Sequence, residues 1–293
     1  MNKTTAFATV TTALTFCLAS ISSAQAKDDL SLTVYNAPAS SFGVNSTLIS
    51  GEKEAILLDT GFTRSDAYRI AANVLDSGKQ LKAIVISQAD PDYYFGTEVL
   101  HEIFPNTPIV STPAVIEAIE KKLPQKVAFW GPQMGANAPK TPIVPTAMNG
   151  NRLNLEGKTI EVRGTSGRLA DLPYVWISSI KTIAGDVNTY ADMHVWTADS
   201  ATPADRAAWV KRLDEMQALQ PKTVVPGHQA GAYDLSPRVI EQTRTYLLTF
   251  EQNLKKAKNS GQLIDAMKQA YPKLLGVDSL ELGAKVATGE MKW

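Results

Sequence analysis

The sequence predicts a four-layer αββα sandwich, in which two β-sheets pack face to face and helices cover their outer faces. Strand-like segments fall into two blocks along the chain, and each block is followed by helical segments. The chain has 293 residues, of which 44% are hydrophobic and 20% charged. That length and composition allow a buried core of this size.

The first block alternates short strands with helices. Strands are predicted at residues 30–35, 47–50, 54–59, 81–87 and 108–111, and helices at 64–78, 98–104 and 113–122. The run Ala83-Ile84-Val85-Ile86 is continuously apolar, which is typical of a strand buried on both faces. Residues 128–145 are rich in Pro, Gly and Asn, and predict a long surface loop.

The second block also consists of strands followed by helices, but its sequence is different. Hairpins are predicted at residues 152–162 and 174–184, a helix at 205–217 and a last buried strand at 223–226. From residue 237 onward the pattern is helical, with a break near residues 259–261. We therefore expect a main domain over residues 27–234 and a C-terminal helical extension, residues 235–293, packed on it.

The first 26 residues have the pattern of a secretory signal peptide. Lys3 lies in a short polar start, residues 6–21 are mildly apolar, and Ala24-Gln25-Ala26 supplies the small residues of a cleavage site. The apolar stretch is short and rich in Ser and Thr, which argues against a stable membrane anchor. We expect cleavage after Ala26 and a periplasmic or secreted protein. Cys17, the only cysteine, would then be removed, and with it cysteine-based catalysis and disulfides.

The charge balance and the missing motifs exclude several classes of function. Lys+Arg and Asp+Glu both number 29, so no excess of either charge favours nucleic acid. The chain has no Gly-x-Ser-x-Gly nucleophile elbow and no glycine-rich phosphate loop. We expect a small-molecule substrate or ligand as the partner. The oligomeric state is left open.

Polar residues follow the predicted strands at four places. They are Leu58-Asp59-Thr60-Gly61, Ser87-Gln88-Ala89-Asp90-Pro91-Asp92-Tyr93-Tyr94-Phe95-Gly96, Gly185-Asp186 and Pro226-Gly227-His228. Their order and placement resemble the metallo-β-lactamase superfamily over residues 30–231. That resemblance implies the αββα sandwich, and a hydrolysis in which a metal-bound water attacks the substrate.

The departures from the family pattern are as informative as the matches. Gln88, Asp90 and Tyr93 stand where the family's first three histidines would be, and residues 164–171 contain no histidine for the middle one. Asp186 and His228 match the family's bridging aspartate and last histidine. Because the missing histidines are the zinc ligands of the first site, true β-lactamase activity is not expected.

The resemblance implies two alternative sites. In the first, Asp92, Asp186 and His228 hold one divalent ion, with Asp90 assisting. Oxygen-rich ligands suit manganese or iron as well as zinc. In the second, the protein binds a small molecule without a metal. Asp90 and Asp92 could also merely shape a turn and cap the next helix.

Further candidate residues complete these predictions. Asp92 and His194 are the candidate catalytic residues. His194 could act as an acid or base or contact the substrate, or it could instead pack beside Trp196. Gln88, Tyr93 and Trp130 are candidates for substrate binding. The sequence thus predicts a metal-dependent hydrolase of an ester, lactone, amide or phosphoester, or a metal-free binding protein. A periplasmic interaction module built on the helical extension is a third possibility.

Overall fold

The computed structural model describes Met1, residues 30–231 and residues 235–293. The predicted signal peptide, with its cleavage site at Ala26, lies outside the described residues. Among the helices that the structure describes, none has the length and apolar character needed to cross a bilayer.

The first sheet carries the N-terminal half of the site. Its six strands, in spatial and chain order, are β1 Ser31–Asn36, β2 Asn45–Ser50, β3 Glu54–Leu58, β4 Gln80–Val85, β5 Ile109–Ser111 and β6 Thr146–Ala147. β1 to β3 pair antiparallel, and β3 to β6 pair parallel. Because parallel strands end at the same edge, the residues after β3 and β4 meet there.

The second sheet carries the C-terminal half of the site. Its order is β12-β10-β9-β8-β7. The strands are β7 Arg152–Leu155, β8 Lys158–Arg163, β9 Tyr174–Ile177, β10 Thr182–Ala184 and β12 Thr223–Val224. A separate ribbon pairs β11 Tyr190–Ala191 with β13 His228–Gln229. β10 ends directly before Gly185-Asp186, and β12 ends shortly before Gly227-His228.

Helices cover both sheets. Those of the first half are α1 Arg64–Asp76, α2 Pro91–Tyr94, α3 Thr97–Ile103 and α4 Pro113–Met134. Those of the second half are α5 Pro203–Ala218, α6 Arg238–Leu254, α7 Ser260–Ala270 and α8 Val277–Ala287. Capping boxes begin two of them, with Thr63 and Asp66 at α1 and Thr202 and Asp205 at α5.

Three apolar clusters define the layers. One lies between the sheets and joins Ile49 and Ile56 of the first to Ile160 and Val175 of the second. A second packs α1, α3 and α4 on the first sheet, and a third packs α5 to α8 on the second. The layers are therefore helix, sheet, sheet and helix, which confirms the predicted fold class.

Helix α4 differs from the sequence prediction. The loop predicted to begin at residue 128 is wrong at its start, because the helix continues to Met134 through two internal prolines. Leu123, Val127, Trp130 and Met134 recur at helical spacing and pack on the cluster under α1 and α3. Burial of this apolar stripe outweighs the backbone hydrogen bonds that the prolines remove.

The C-terminal helices share a core with the second sheet. Tyr246, Phe250, Leu263 and Leu280 belong to the same apolar cluster as Trp209 of α5. The division into domains at residue 235 stays a prediction.

Candidate functional site

Asp59 ties the ends of two parallel strands together. Its carboxylate accepts hydrogen bonds from the backbone N and the Oγ of Ser87, each at 2.7 Å. Asp59 has a left-handed backbone, with φ of 63°. Burial raises the pKa of Asp59 to about 8, although the bonds from Ser87 oppose the shift. The residue fixes the start of the motif that follows β4.

Gln88 is held from the opposite sheet. Its Nε2 donates to the carbonyl oxygen of Pro173 at 3.0 Å, and its side chain is fully buried. A carbonyl oxygen can only accept, so the amide orientation is fixed and Oε1 points away from Pro173. Among the residues that the structure describes, Oε1 has no hydrogen-bond partner.

Asp90 precedes α2 but does not cap it. Its side chain forms no capping hydrogen bond, so the alternative of a side-chain cap at Asp90 is wrong. Burial raises the pKa of Asp90 to about 7, helped by the charges of Asp199 and Asp92 and opposed by Lys126 and Lys122. The side chain is nevertheless partly accessible. Asp90 is thus a carboxylate at the boundary between the interior and a cavity.

Asp92 and His228 are neighbouring side chains among the predicted ligands. Asp92 Oδ2 lies 3.7 Å from His228 Nε2. Nδ1 of His228 lies 3.1 Å from the carbonyl oxygen of Phe42, so Nδ1 carries the proton and Nε2 keeps its lone pair. The imidazole stacks on Tyr190, with ring centroids 5.0 Å apart.

Burial opposes the charged form of both members of this pair. It lowers the pKa of His228 to about 4, against the bond to Phe42, and raises the pKa of Asp92 to about 7. His228 is consequently neutral at neutral pH.

Asp186 is engaged by its own loop. Oδ1 accepts from the backbone N of Asn188 at 2.7 Å and of Thr189 at 2.9 Å, and from the Thr189 hydroxyl at 3.2 Å. Burial raises the pKa of Asp186 to about 7, against these hydrogen bonds. The hydroxyl of the fully buried Tyr93 donates to the carbonyl oxygen of Asp186 at 3.3 Å. The side chains of Asp186 and Tyr93 therefore both form hydrogen bonds within the protein.

These contacts decide how well the residues fit a metal ion. Within the described part of the chain, no three His, Cys, Asp or Glu side chains are grouped closely enough to hold one. Of the predicted set Asp90, Asp92, Asp186 and His228, the structure brings Asp92 and His228 together as a pair. A stable site needs more ligands than two, so this donor set does not fit the single-ion centre that the sequence predicts.

Two further predicted residues lie elsewhere. His194 contacts the C-terminal helices, with Nδ1 3.0 Å from the Tyr246 hydroxyl and its backbone N bonded to Leu275. Trp130 packs against Phe42 and Phe62 in an aromatic cluster. Trp130 is thus linked to His228 through Phe42, whereas the polar contacts of His194 are structural.

A cavity of about 150 Å³ opens beside Asp90. The charged residues of its lining are Asp90, Lys122, Arg168, Asp171, Asp199 and Asp205. The segment in which the resemblance places a middle histidine therefore supplies Arg168 and Asp171 instead. Apart from Asp90, no residue of this lining was marked by a periodicity or motif in the sequence.

Sequence reasoning also missed the residues that position His228. Phe42 acts through its backbone carbonyl, which no side-chain motif can reveal. Tyr190 acts through stacking, and reaches the imidazole because β11 pairs with β13. Asp59, which holds Ser87, was the one positioning residue that the sequence indicated, and it did so only as part of the family resemblance.

Comparison with known proteins identifies the family. A family model described as the metallo-beta-lactamase superfamily matches residues 40–228, which is more than half of the chain. No curated protein sequence matches the chain significantly.

Solved structures share the fold at low sequence identity. A metallo-beta-lactamase family protein from Thermus thermophilus is 14% identical with a TM-score of 0.63, over 88% of this chain and 91% of that one. The DIM-1 metallo-beta-lactamase is 14% identical with a TM-score of 0.55, over 75% and 99%. A stereoselective inverting sec-alkylsulfatase from Pseudomonas sp. is 13% identical with a TM-score of 0.58, over 84% and 47%. At these identities the likeness shows the fold alone.

Proposed function

The chain belongs to the metallo-β-lactamase superfamily, and we propose that within this hydrolase-like family it binds a small molecule without a resident metal ion. The observation that carries the proposal is that the protein itself engages the positions where the family holds its metals. Gln88 bonds to Pro173, Asp186 bonds to Asn188 and Thr189, and Tyr93 bonds to the Asp186 carbonyl.

Electrostatics supports the same proposal. Asp59, Asp92 and Asp186 are all buried, and burial raises the pKa of each to between about 7 and about 8. A carboxyl of this kind is partly protonated near neutral pH, whereas a carboxylate that binds a metal must lose its proton. A metal ion bound by these carboxyls would have to displace their protons.

The accessible part of the site is the cavity beside Asp90. Asp90, which lines this cavity, stands two positions from both Gln88 and Asp92 in the sequence. We propose that a ligand enters through this cavity.

Metal analysis of the purified mature protein tests the proposal. The protein is prepared without chelator and then offered zinc, manganese, iron or magnesium. We expect far less than one ion per chain, and a melting temperature that chelator leaves unchanged. One ion per chain that disappears in His228→Ala would overturn the proposal.

A single-ion hydrolase is the second candidate, and the Asp92–His228 pair favours it. The bond from Nδ1 to the Phe42 carbonyl leaves Nε2 free, which is how metal-binding histidines are commonly oriented. Such an ion would supply an activated water for an ester, lactone, amide or phosphoester. Metal-dependent hydrolysis of p-nitrophenyl acetate or phosphate that Asp92→Asn abolishes would favour this candidate. Absence of hydrolysis under every ion counts against it.

We also propose that the mature chain is periplasmic or secreted, without a membrane anchor. The support is the three-part pattern of the first 26 residues. Mass spectrometry of the protein recovered from cell fractions tests this. An N-terminus at Lys27 in the periplasmic or culture fraction is expected, and an intact N-terminus in the cytoplasm would contradict it.

A further inference from the structure

We propose that residues 124–134 of α4, which we call the flap, open as one unit and give a ligand access to the buried pair Asp92 and His228. This inference describes how the proposed binding site is reached, and it rests on the proposed function. It is carried by the packing of α4, by a hinge position at each end of the flap, and by the contacts between the flap and the pair.

The pair needs such a route. Asp92 and His228 are only 6% and 7% exposed. The cavity beside Asp90 is lined by other residues, among them Lys122 of α4. Lys122 stands two positions before the flap in the sequence. The flap thus continues the helix that supplies one wall of the cavity, and a movement of the flap changes that wall.

The two halves of α4 are packed differently. In the first half Val115 and Ile119 are buried, whereas no residue of the flap is. Val127 and Trp130 pack on the apolar cluster from partly exposed positions, and Phe129 is 60% exposed. The side chains of the flap form no hydrogen bond or ion pair with any other residue that the structure describes. A segment with so few buried contacts opens at a lower cost in free energy than the rest of a fold.

A hinge position stands at each end of the flap. Pro124 has no backbone N–H, so the usual helical bond to the carbonyl of Glu120 is missing. Gly135 ends the helix with φ of 56° and ψ of −126°, a conformation that glycine adopts at little cost. Asn137 beyond it is fixed, because its Oδ1 accepts from the backbone N of Ser65 at 2.8 Å. The flap can consequently move while the segments on both sides of it stay in place.

The flap is linked to each member of the pair. Trp130 packs edge-on against Phe42, with ring centroids 5.5 Å apart, and the carbonyl oxygen of Phe42 accepts the Nδ1–H of His228. Burial raises the pKa of Asp92, and the charge of Lys126 on the flap opposes that shift. Opening of the flap therefore removes a contact beside His228 and a charge that acts on Asp92.

Chemical modification of histidine tests the flap without knowledge of the ligand. Diethyl pyrocarbonate transfers an ethoxycarbonyl group to an unprotonated imidazole nitrogen, and Nε2 of His228 carries no proton. Peptide mass mapping follows His228 and His194 in the same sample of mature protein. His194 is 1% exposed and bonded among the C-terminal helices, so its modification reports global unfolding. We expect urea below the unfolding transition to accelerate the modification of His194, but to change that of His228 less than about twofold, because a local opening exposes little surface.

Two proline variants of α4 locate the hinge. Pro124→Ala restores a helical hydrogen bond at the hinge, and should slow the modification of His228 at least about fivefold. Pro132→Ala makes the same change inside the flap and is the matched control, with a His228 rate within about twofold of the unaltered protein. Both variants should fold, because alanine is favoured over proline within a helix.

A second pair of variants tests the contact that holds the flap closed. Trp130→Leu removes the ring contacts with Phe42 and Phe62, and should accelerate the modification of His228 at least about fivefold. Phe129→Leu changes an exposed ring that contacts Trp130 within the flap, and should leave the rate within about twofold.

The outcomes separate this inference from the proposed function. Equal His228 rates in Pro124→Ala and Pro132→Ala, or the same urea dependence for His228 and His194, overturn the flap and leave the metal-free binding function standing. The modification is therefore measured with and without chelator. A His228 that reacts only after chelation carries a bound ion and overturns the metal-free function, while the proline comparison in chelated protein still decides whether the flap opens.

Discussion

The buried interior of the site and the cavity beside it contain the same type of residue with different hydrogen bonding. Asp59 and Asp186 are at most 1% exposed, and each accepts two or more hydrogen bonds from neighbouring segments. Asp90 and Asp171 at the cavity are partly exposed and form none with the residues that the structure describes. Carboxyl groups at the same edge of the sandwich therefore differ in whether the protein itself supplies their hydrogen bonds.

Under the proposed metal-free function, the difference describes how a metal site would be replaced without loss of the fold. Removing a metal from a buried cluster of carboxylates leaves charges that must be neutralised or bonded. Here the interior carboxyls are bonded by Ser87, Asn188 and Thr189, and burial keeps them partly protonated. The strand ends keep their places, and the outer carboxylates remain available to a ligand.

The largest expected effect comes from the tightest point of the interior. A Cβ on Gly227 would overlap the carbonyl oxygen of Asp186 and crowd the hydroxyl of Tyr93. Gly227→Ala should lower the free energy of unfolding by about 3 kcal/mol, because backbone atoms cannot move aside cheaply. Urea unfolding measures it. Gly131→Ala, a helical glycine with open space around its Cβ position, should be neutral or slightly stabilising. Equal effects would show that the interior is not tightly packed.

The next effect compares one carboxylate from each region. Asp186→Ala leaves the buried N–H groups of Asn188 and Thr189 without their acceptor, and should cost about 2–3 kcal/mol. Asp90→Ala removes no hydrogen bond, and should change stability by less than about 0.5 kcal/mol. Denaturant midpoints of the two variants give the comparison. A large loss in Asp90→Ala would contradict the distinction between the regions.

The pH dependence of stability tests the interior as a whole. The folded pKa values of Asp59, Asp92 and Asp186 lie near 7 or 8, above the ordinary value of 3.8. The folded protein therefore binds more protons than the unfolded chain at about pH 6–7.5, and stability should fall as pH rises through that window. Each group contributes at most about 1.4 kcal/mol per pH unit, and its contribution falls as the pH approaches the folded pKa of that group. The neutral His228 acts in the opposite sense, but only below its ordinary pKa of 6.5.

Chelated and metal-supplemented samples distinguish the candidate functions in the same experiment. A bound divalent ion favours the ionised carboxylates, and would flatten or reverse the slope. We expect identical slopes in both samples, read from urea midpoints at about pH 6.0, 6.75 and 7.5. A slope that metal alone abolishes would support the single-ion hydrolase.

The smallest effect concerns His194, which the sequence nominates for acid–base catalysis. His194→Leu removes the bond to the buried Tyr246 hydroxyl, and should destabilise by about 1 kcal/mol. Thermal unfolding checks this. An unchanged melting temperature would contradict the structural role of His194.

The sequence by itself determined the layers and the strand ends. Its 2-residue and 3.6-residue periodicities depend on near neighbours, and they predicted most strands and helices to within a few residues. The order of Asp59, Ser87–Tyr93, Asp186 and His228 along those strand ends also predicted which side chains share one edge. The extent of α4 was missed, because its prolines suggested a loop that packing overrides.

Tertiary structure alone decided which hydrogen-bond partners the residues at that edge have. Gln88 bonds to Pro173, 85 residues away, and His228 bonds to Phe42, 186 residues away. Such partners depend on how two sheets and their loops pack, and backbone groups leave no trace in a motif. The same packing separates the bonded interior from the unpaired Asp90. A sequence can thus place four carboxyl groups near one another, but only their desolvation and partners in the fold decide which remain free to bind.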